Sequence, residues 1–219
     1  MASVLLVDDH ALYREGLREL FAKWEDFEVA GEASDGLEAV AKCSANPPDL
    51  VIMDVKMPVM DGIEACGAIR RDHPETIVVM LSLYAERERV LSAITAGAQG
   101  YLLKSMYARQ LHDRLRSVMA GGAALSEDVA AICLDAIRSS RFAMPVMEEG
   151  TRRALGLLTE HEEELLRLVA IGASNREIGE RLYIGESTVK KQLSALMVKL
   201  GLKNRVQAAT FALRAGLAD

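Results

Sequence analysis

Apolar residues in roughly the first half of the chain follow two patterns that take turns. Short unbroken apolar cores stand in SVLLVD, DLVIMD, TIVVMLS and GYLLK, with a weaker one in EVAGEA. Between them apolar residues recur at helical spacing: Leu12, Leu17, Leu20 and Trp24, then Leu37 and Val40, then GIEACGAIRR, ERVLSAITAG and ARQLHDRLRSVMAGG. Runs that do not alternate with polar residues must be buried on both sides, as parallel strands covered by helices are. Five strands, each followed by a helix, predict an α/β domain on a doubly wound, five-stranded parallel sheet.

The pattern loosens after Gly121 and Gly122. ALSEDVAAICLDAIRSS predicts one helix capped at Ser126, and RFAMPVMEEGTRRALG mixes Pro, Gly and charge as a linker does. The rest predicts a smaller all-α unit. TEHE (Thr159, Glu162) and SNRE (Ser174, Glu177) match the capping box, and Asn204 with Gln207 makes a weaker third. Helices are therefore expected over 159–171, 175–183, 186–200 and 205–215, with the break YIGE giving the outline of a helix-turn-helix. The division expected is 1–120, a connecting 121–153 with one helix, and 154–219.

Composition adds little until charge is divided along the chain. Residues 1–150 hold 15 Lys and Arg against 24 Asp and Glu, a net −9, whereas residues 151–219 hold 11 against 8, a net +3. An acidic part joined to a basic part suggests different partners, one of them a polyanion. The apolar runs are too short for a membrane helix and the first ends in two aspartates, so a cytoplasmic protein with no membrane partner is expected. Cys43, Cys66 and Cys133 lack metal or disulfide spacing and read as packing thiols.

Ligands of a parallel sheet bind at the carboxyl ends of its strands, which here read Asp8-Asp9, Asp54, Ser82 and Lys104. Adjacent carboxylates at a buried strand end cost free energy unless a cation compensates them. Three converging carboxylates form a hard oxygen site suited to Mg2+, an ion shared with phosphate oxygens. Lys104 adds a point charge and Ser82 a hydroxyl donor, a set that fits a phosphoryl group in transfer, with Asp54 as nucleophile. Alone, each residue has an ordinary explanation as a helix cap or a solvated charge. Their common position favours a site. His10 is expected simply in the first turn of a helix, since no other His or Cys joins it in sequence.

In the third helix of the last unit, Val189, Leu193, Leu196 and Leu200 predict a core face. The other face carries Ser187, Thr188, Lys190, Lys191 and Ser194, with Lys199, Lys203 and Arg205 near its end. Such a set is able to neutralise phosphates and reach base edges of double-stranded DNA from the major groove, although for an isolated amphipathic helix a solvated basic face is the commoner explanation.

LLVDDH, PDLVIMDVKMPVMDG, VVMLS and GAQGYLLK, in this order and spacing, resemble the receiver domain of NarL/FixJ-type response regulators. GASNREIGERLYIGESTVKKQLSALMVKLGLKNR is similar to the LuxR-type DNA-binding domain that forms their second half. The resemblance implies a flavodoxin-like receiver with Asp54 as phosphoacceptor of a sensor histidine kinase. It further implies Asp9 as a direct and Asp8 as a mainly water-mediated ligand of Mg2+, the Lys56 carbonyl as another, and Lys104 as phosphate clamp. Ser82 and Tyr101 become the switch pair, phosphate drawing Ser82 and Tyr101 turning inward. The same resemblance implies an acidic receiver docked over the reading helix until phosphorylation releases it, the opposite charges giving a reason for docking. A homodimer would form through Val206, Ala209, Thr210 and Leu213 on the last helix. Three positions depart from common family choices: Ser105 for proline, His161 for arginine and Gln192 for histidine. The reading is a transcription regulator rather than an enzyme. A Mg2+-dependent phosphohydrolase would need a second acid or base that no strand end provides. A regulator that binds DNA without phosphorylation is the other alternative.

Overall fold

The computed structural model describes residues 1–138 and 156–217. The first part alternates as its apolar pattern predicts: β1 (Ala2–Val7), α1 (Ala11–Phe21), β2 (Phe27–Ala33), α2 (Gly36–Ala45), β3 (Leu50–Asp54) and α3 (Gly62–Asp72). It continues through β4 (Ile77–Ser82), α4 (Arg87–Ala96), β5 (Gly100–Leu103), α5 (Ala108–Met119), β6 (Ala124–Leu125) and α6 (Glu127–Arg138). The strands form one sheet in the order β2-β1-β3-β4-β5-β6, every pair parallel.

Successive side chains of a strand point to opposite faces, so each apolar run feeds two cores. Leu5, Val7, Val51, Met53, Val78 and Met80 join the core beneath α2, α3 and α4. Val4, Leu6, Leu50, Ile52, Val79 and Leu81 join the one beneath α1 and α5. This double burial is why the runs carry no polar alternation.

Two expectations need correction. The sheet has a sixth strand, β6, only two residues long, whose small apolar sequence gives no strand signal; it is fixed by pairing of Gly100 and Tyr101 with Ala124 and Leu125. Ser126 precedes α6, but its buried hydroxyl has no hydrogen-bond partner and does not cap the helix. Most of the expected linker, 139–155, lies outside the described residues.

The second part contains α7 (Glu160–Ala170), α8 (Asn175–Leu182), α9 (Glu186–Lys199) and α10 (Arg205–Arg214) around a core of its own, with Leu165, Leu166, Ile178, Val189, Leu193 and Leu196 at its centre. Both capping boxes are formed, Thr159 with Glu162 and Ser174 with Glu177. The third forms only by half. Asn204 accepts from the Gln207 amide, but Gln207 Oε1 accepts from Lys203 N instead of returning to Asn204.

Candidate functional site

The carboxyl edge of the sheet gathers the residues expected there. Asp8 follows β1 and is 1% exposed; Asp54 ends β3 and is 7% exposed. Ligand atoms of Asp8, Asp9, His10 and Asp54 lie within 4.8 Å of one another. Lys104 crosses from the end of β5, its Nζ 2.6 Å from Asp8 Oδ2 and 3.2 Å from Asp54 Oδ2. Its ammonium also sits 4.6 Å from the centre of the Tyr13 ring. Two buried acids share one buried cation, which leaves the cluster negative. Burial, above all, and the charge of Asp8 hold the Asp54 carboxyl above its usual pKa range, with Lys104 opposing. Burial followed by the charges of Asp8 and Asp54 pushes the Tyr13 hydroxyl up to about 12. His10 does more than open a helix: as residue before α1 it turns Nδ1 to within 2.9 Å of Asp9 and 3.3 Å of Asp8.

The loop after Asp54 folds back on it. A side chain at Gly62 would place Cβ 1.9 Å from the Asp54 carbonyl oxygen, so only glycine permits this approach. The Lys56 ammonium turns out of the site to Glu86, at 3.0 Å, and Glu86 also binds Arg89.

Ser82 ends β4, and Tyr101 lies in β5 with no exposed surface. The Tyr101 hydroxyl donates to the Tyr84 carbonyl at 3.2 Å. Burial raises its pKa, opposed by hydrogen bonding with Ser82. Tyr101 is thus already inward, and an inward turn on phosphorylation has no starting point in this conformation. Tyr84 is 68% exposed beside the site.

On α9, Ser187, Thr188, Lys190 and Lys191 are exposed and Ser194 is half-buried. Lys199 is occupied by Glu162 at 2.7 Å, and Lys203 is exposed. Arg205 is not on this face. It is buried, donating to the carbonyls of Gly121 at 2.8 Å and Ala173 and to Asn175 Oδ1 at 2.9 Å, and burial lowers its pKa to about 10. Most of the stripe on α10 is covered as well: Thr210 is buried, Val206 packs on the first core and Ala209 is half-buried on the second, but Leu213 is exposed.

Residues that sequence reasoning missed join the two parts. Asn204 Nδ2 donates to the carbonyls of Ile94 and Ala98 at the end of α4, at 2.7 and 3.1 Å, and Gln207 Nε2 to that of Ile94 at 3.1 Å. Arg70 donates to the Lys203 carbonyl at 2.9 Å. The capping pattern drew attention to Asn204 and Gln207, but as a local motif. Lys190, Leu193, Ser194 and Met197 line a cleft whose far wall is Arg70, Pro74, Glu75 and Gln99. Among the described residues no ion pair spans the two parts. The docking rests on amide and guanidinium donors to main-chain carbonyls, and the Lys190 charge also acts attractively on Asp49 of the receiver.

A parallel sheet with clustered acids and a lysine at its carboxyl edge, followed by a helix-turn-helix unit, defines a receiver coupled to a DNA-binding domain. Residues 4–116 match the response regulator receiver domain, and residues 156–212 match the bacterial regulatory proteins of the luxR family. The uncharacterized transcriptional regulatory protein YhcZ of Bacillus subtilis (strain 168) is 37% identical over 214 residues, 98% of this chain and 96% of that protein. The nitrate/nitrite response regulator protein NarL of Escherichia coli (strain K12) is 35% identical over 210 residues, 96% of this chain and 94% of NarL. Among solved structures, the response regulator ChrA of a heme-sensing two-component system is 33% identical, with a TM-score of 0.51 over 99% of this chain and 98% of ChrA. The chain belongs to the NarL/LuxR-type response regulators of two-component systems. Its family is one of DNA-binding transcription regulators, not enzymes. No described helix is long and apolar enough to cross a membrane.

Proposed function

We propose that a partner sensor histidine kinase phosphorylates this regulator on Asp54, and that the phosphoryl group controls its binding to double-stranded DNA in the cytoplasm. The observation that carries the reading is the convergence of Asp8, Asp9 and Asp54 at one sheet edge with the Lys104 ammonium between two of them. Their carboxylates are the hard oxygen donors that Mg2+ takes, and Asp8, Asp9, Asp54 and the Lys56 carbonyl would hold it. When bound, the ion neutralises the carboxylates and the oxygens of the incoming phosphoryl group. Asp54 Oδ1 accepts from the Val55 amide at 2.8 Å, which leaves Oδ2, the oxygen facing Lys104, to attack phosphorus. The bond from phosphorus to the kinase nitrogen breaks as the bond to Oδ2 forms. Lys104 then exchanges a carboxylate partner for a phosphoryl oxygen, and the Ser82 hydroxyl donates to another.

The units in this reading are a receiver over 1–120, a connection over 121–153 and a DNA-binding domain over 154–219. Before phosphorylation Lys190 and Ser194 line a cleft against the receiver, and Val206 of the α10 stripe packs on the receiver's core while Ala209 packs on the core of its own unit. Once Ser82 has been drawn to the phosphoryl group and the receiver surface has repacked around an already inward Tyr101, the released stripe of Val206, Ala209, Thr210 and Leu213 pairs with its copy, placing two α9 helices on two half-sites. Ser187, Thr188, Lys190, Lys191, Ser194 and Lys203 meet the DNA. Lys199 and Arg205 need their present partners replaced first.

The test is phosphate uptake from a labelled small acyl phosphate in the presence of Mg2+. Uptake is expected in the native protein and lost in Asp54→Asn or in excess chelator. Undiminished uptake in either would overturn the assignment.

A further inference from the structure

His161 and Gln192 are 31 positions apart in sequence and touch in the structure, with His161 Nε2 3.0 Å from Gln192 Oε1. The helices that carry them are pinned beside the pair. Lys199 of α9 donates to both carboxylate oxygens of Glu162, at 2.9 and 2.7 Å, while Glu162 closes the capping box that starts α7. His161 is exposed and Gln192 is half-buried. Two residues along a helix amount to about 200° of rotation, so Gln192 lies on the opposite edge of α9 from Lys190, away from the receiver. It shares that edge with Thr188, one turn earlier.

The two ends of a glutamine amide offer opposite chemistry, a carbonyl acceptor and an NH2 with two donors. An imidazole with hydrogen on Nε2 donates to Oε1 and leaves the Gln192 NH2 directed outward. With Nε2 bare, the amide must reverse, giving NH2 to the ring and presenting oxygen to solvent. Imidazolium carries hydrogen on both nitrogens, so protonation permits only the first arrangement.

We propose that His161 is a positioning residue for DNA recognition: in its protonated form it holds Gln192 with the amide donors toward the DNA. There they meet an acceptor, either a phosphate oxygen or an acceptor atom on a base edge, and binding takes up a proton at His161. The inference deepens the DNA-binding reading of α9 and rests on it. Other charged residues of the unit lie on its four helices. On α7, Glu162 is paired with Lys199 and Glu164 with Arg167, and Glu160 and Glu163 flank the pair in sequence. On α8, Arg176 pairs with Glu180, and Glu177 caps its own helix; Arg181 ends it. Lys191 adjoins Gln192 on α9, and Arg205 of α10 is held by carbonyls.

The experiment measures binding of the full-length chain, treated with a small acyl phosphate and Mg2+ so that α9 is released, to a random duplex pool of about 30 base pairs, long enough for two half-sites, and to the sequence most enriched from it. Affinities are compared at about pH 6 and about pH 8, either side of the range in which histidine changes charge, at one ionic strength. The native protein should weaken by up to about tenfold per pH unit for each chain bound, the limit for one linked proton at its His161. His161→Arg, always a donor, should keep the affinity seen at low pH and lose the excess dependence; Gln192→Ala should lose both. Equal dependence on pool and enriched sequence assigns the donors to phosphate, and dependence on the enriched sequence alone assigns them to a base edge. A dependence as large in His161→Arg as in the native protein would overturn the proposal. So would one that survives Gln192→Ala, because His161 would then act on DNA directly. Without DNA, the side-chain amide resonances of Gln192 should move as His161 titrates. If the protein binds no DNA at either pH, the DNA-binding reading fails, and these resonances alone decide the pairing, their constancy refuting it.

Discussion

Asn204 performs two tasks with one amide: its oxygen caps α10 by accepting from Gln207 N at 2.8 Å, and its nitrogen donates to the carbonyls of Ile94 and Ala98. Replacement by aspartate separates them. A carboxylate is as good an N-cap as the amide, so α10 keeps its start. It has no hydrogen to give, however, and sets a negative charge against two carbonyl oxygens. Each lost bond is worth about 0.5–1.5 kcal/mol net, so two are worth about 2 kcal/mol, or about 30-fold in the ratio of docked to released forms. Where the docked form predominates by more than that ratio, the apparent affinity for DNA rises by the same factor. The assay is anisotropy of a labelled duplex enriched from a random pool, with unphosphorylated full-length protein at one salt concentration. The isolated second half, which has its own core, sets the ceiling. Small-angle scattering reports domain separation independently. Asn204→Asp should move both readouts toward the ceiling. Affinity within twofold of native, with unchanged scattering, would refute the idea that this clasp restrains the reading helix.

Tyr84, exposed beside Ser82, should shield the phosphoryl group from water, so Tyr84→Ala should shorten the lifetime of the phosphorylated protein; an unchanged hydrolysis rate would reject the shielding. Lys190→Ala or Lys191→Ala should cost about 1–3 kcal/mol on the enriched sequence and relax specificity if the lysine reads a base, whereas loss of a phosphate contact weakens all sequences alike and lowers the salt slope by about one. At least one of the two is expected to behave as a reader in competition binding. Rising ionic strength should loosen the docking only slightly in scattering, because hydrogen bonds to main-chain carbonyls hold it and salt screens only the attraction between charges such as Lys190 and Asp49.

Features written locally were legible in the sequence. LVIM had to be a strand buried on both faces, TEHE and SNRE had to start helices, and Asp54 had to stand at a strand end where Asp8 and Lys104 also arrive. What escaped depends on tertiary neighbours. Ala124 and Leu125 become a strand only because β5 offers an edge. Ser126 looks like a cap, yet its hydroxyl is buried without a partner. Arg205 looks like a phosphate contact by charge, but main-chain carbonyls from two separate segments draw it inward. Net charges of −9 and +3 suggested how the halves attract, but summed charge carries no geometry. The contact is made by amide and guanidinium donors on main-chain carbonyls, a geometry that composition does not weigh.

The clasp also divides unequally between the halves. Three of its acceptors on the receiver, the carbonyls of Ile94, Ala98 and Gly121, belong to the main chain, while Asn204, Gln207 and Arg205 supply the donors as side chains. A carbonyl is present whatever side chain its residue bears. Over generations the surface of α4 is therefore free to drift, and to be reshaped for a new kinase, without surrendering its hold on the reading unit. The same drift at Asn204 or Gln207 would break it. Inherited variation that alters docking should therefore fall more on the half that reads DNA, with Arg70, which donates to the Lys203 carbonyl, as the receiver's own exception.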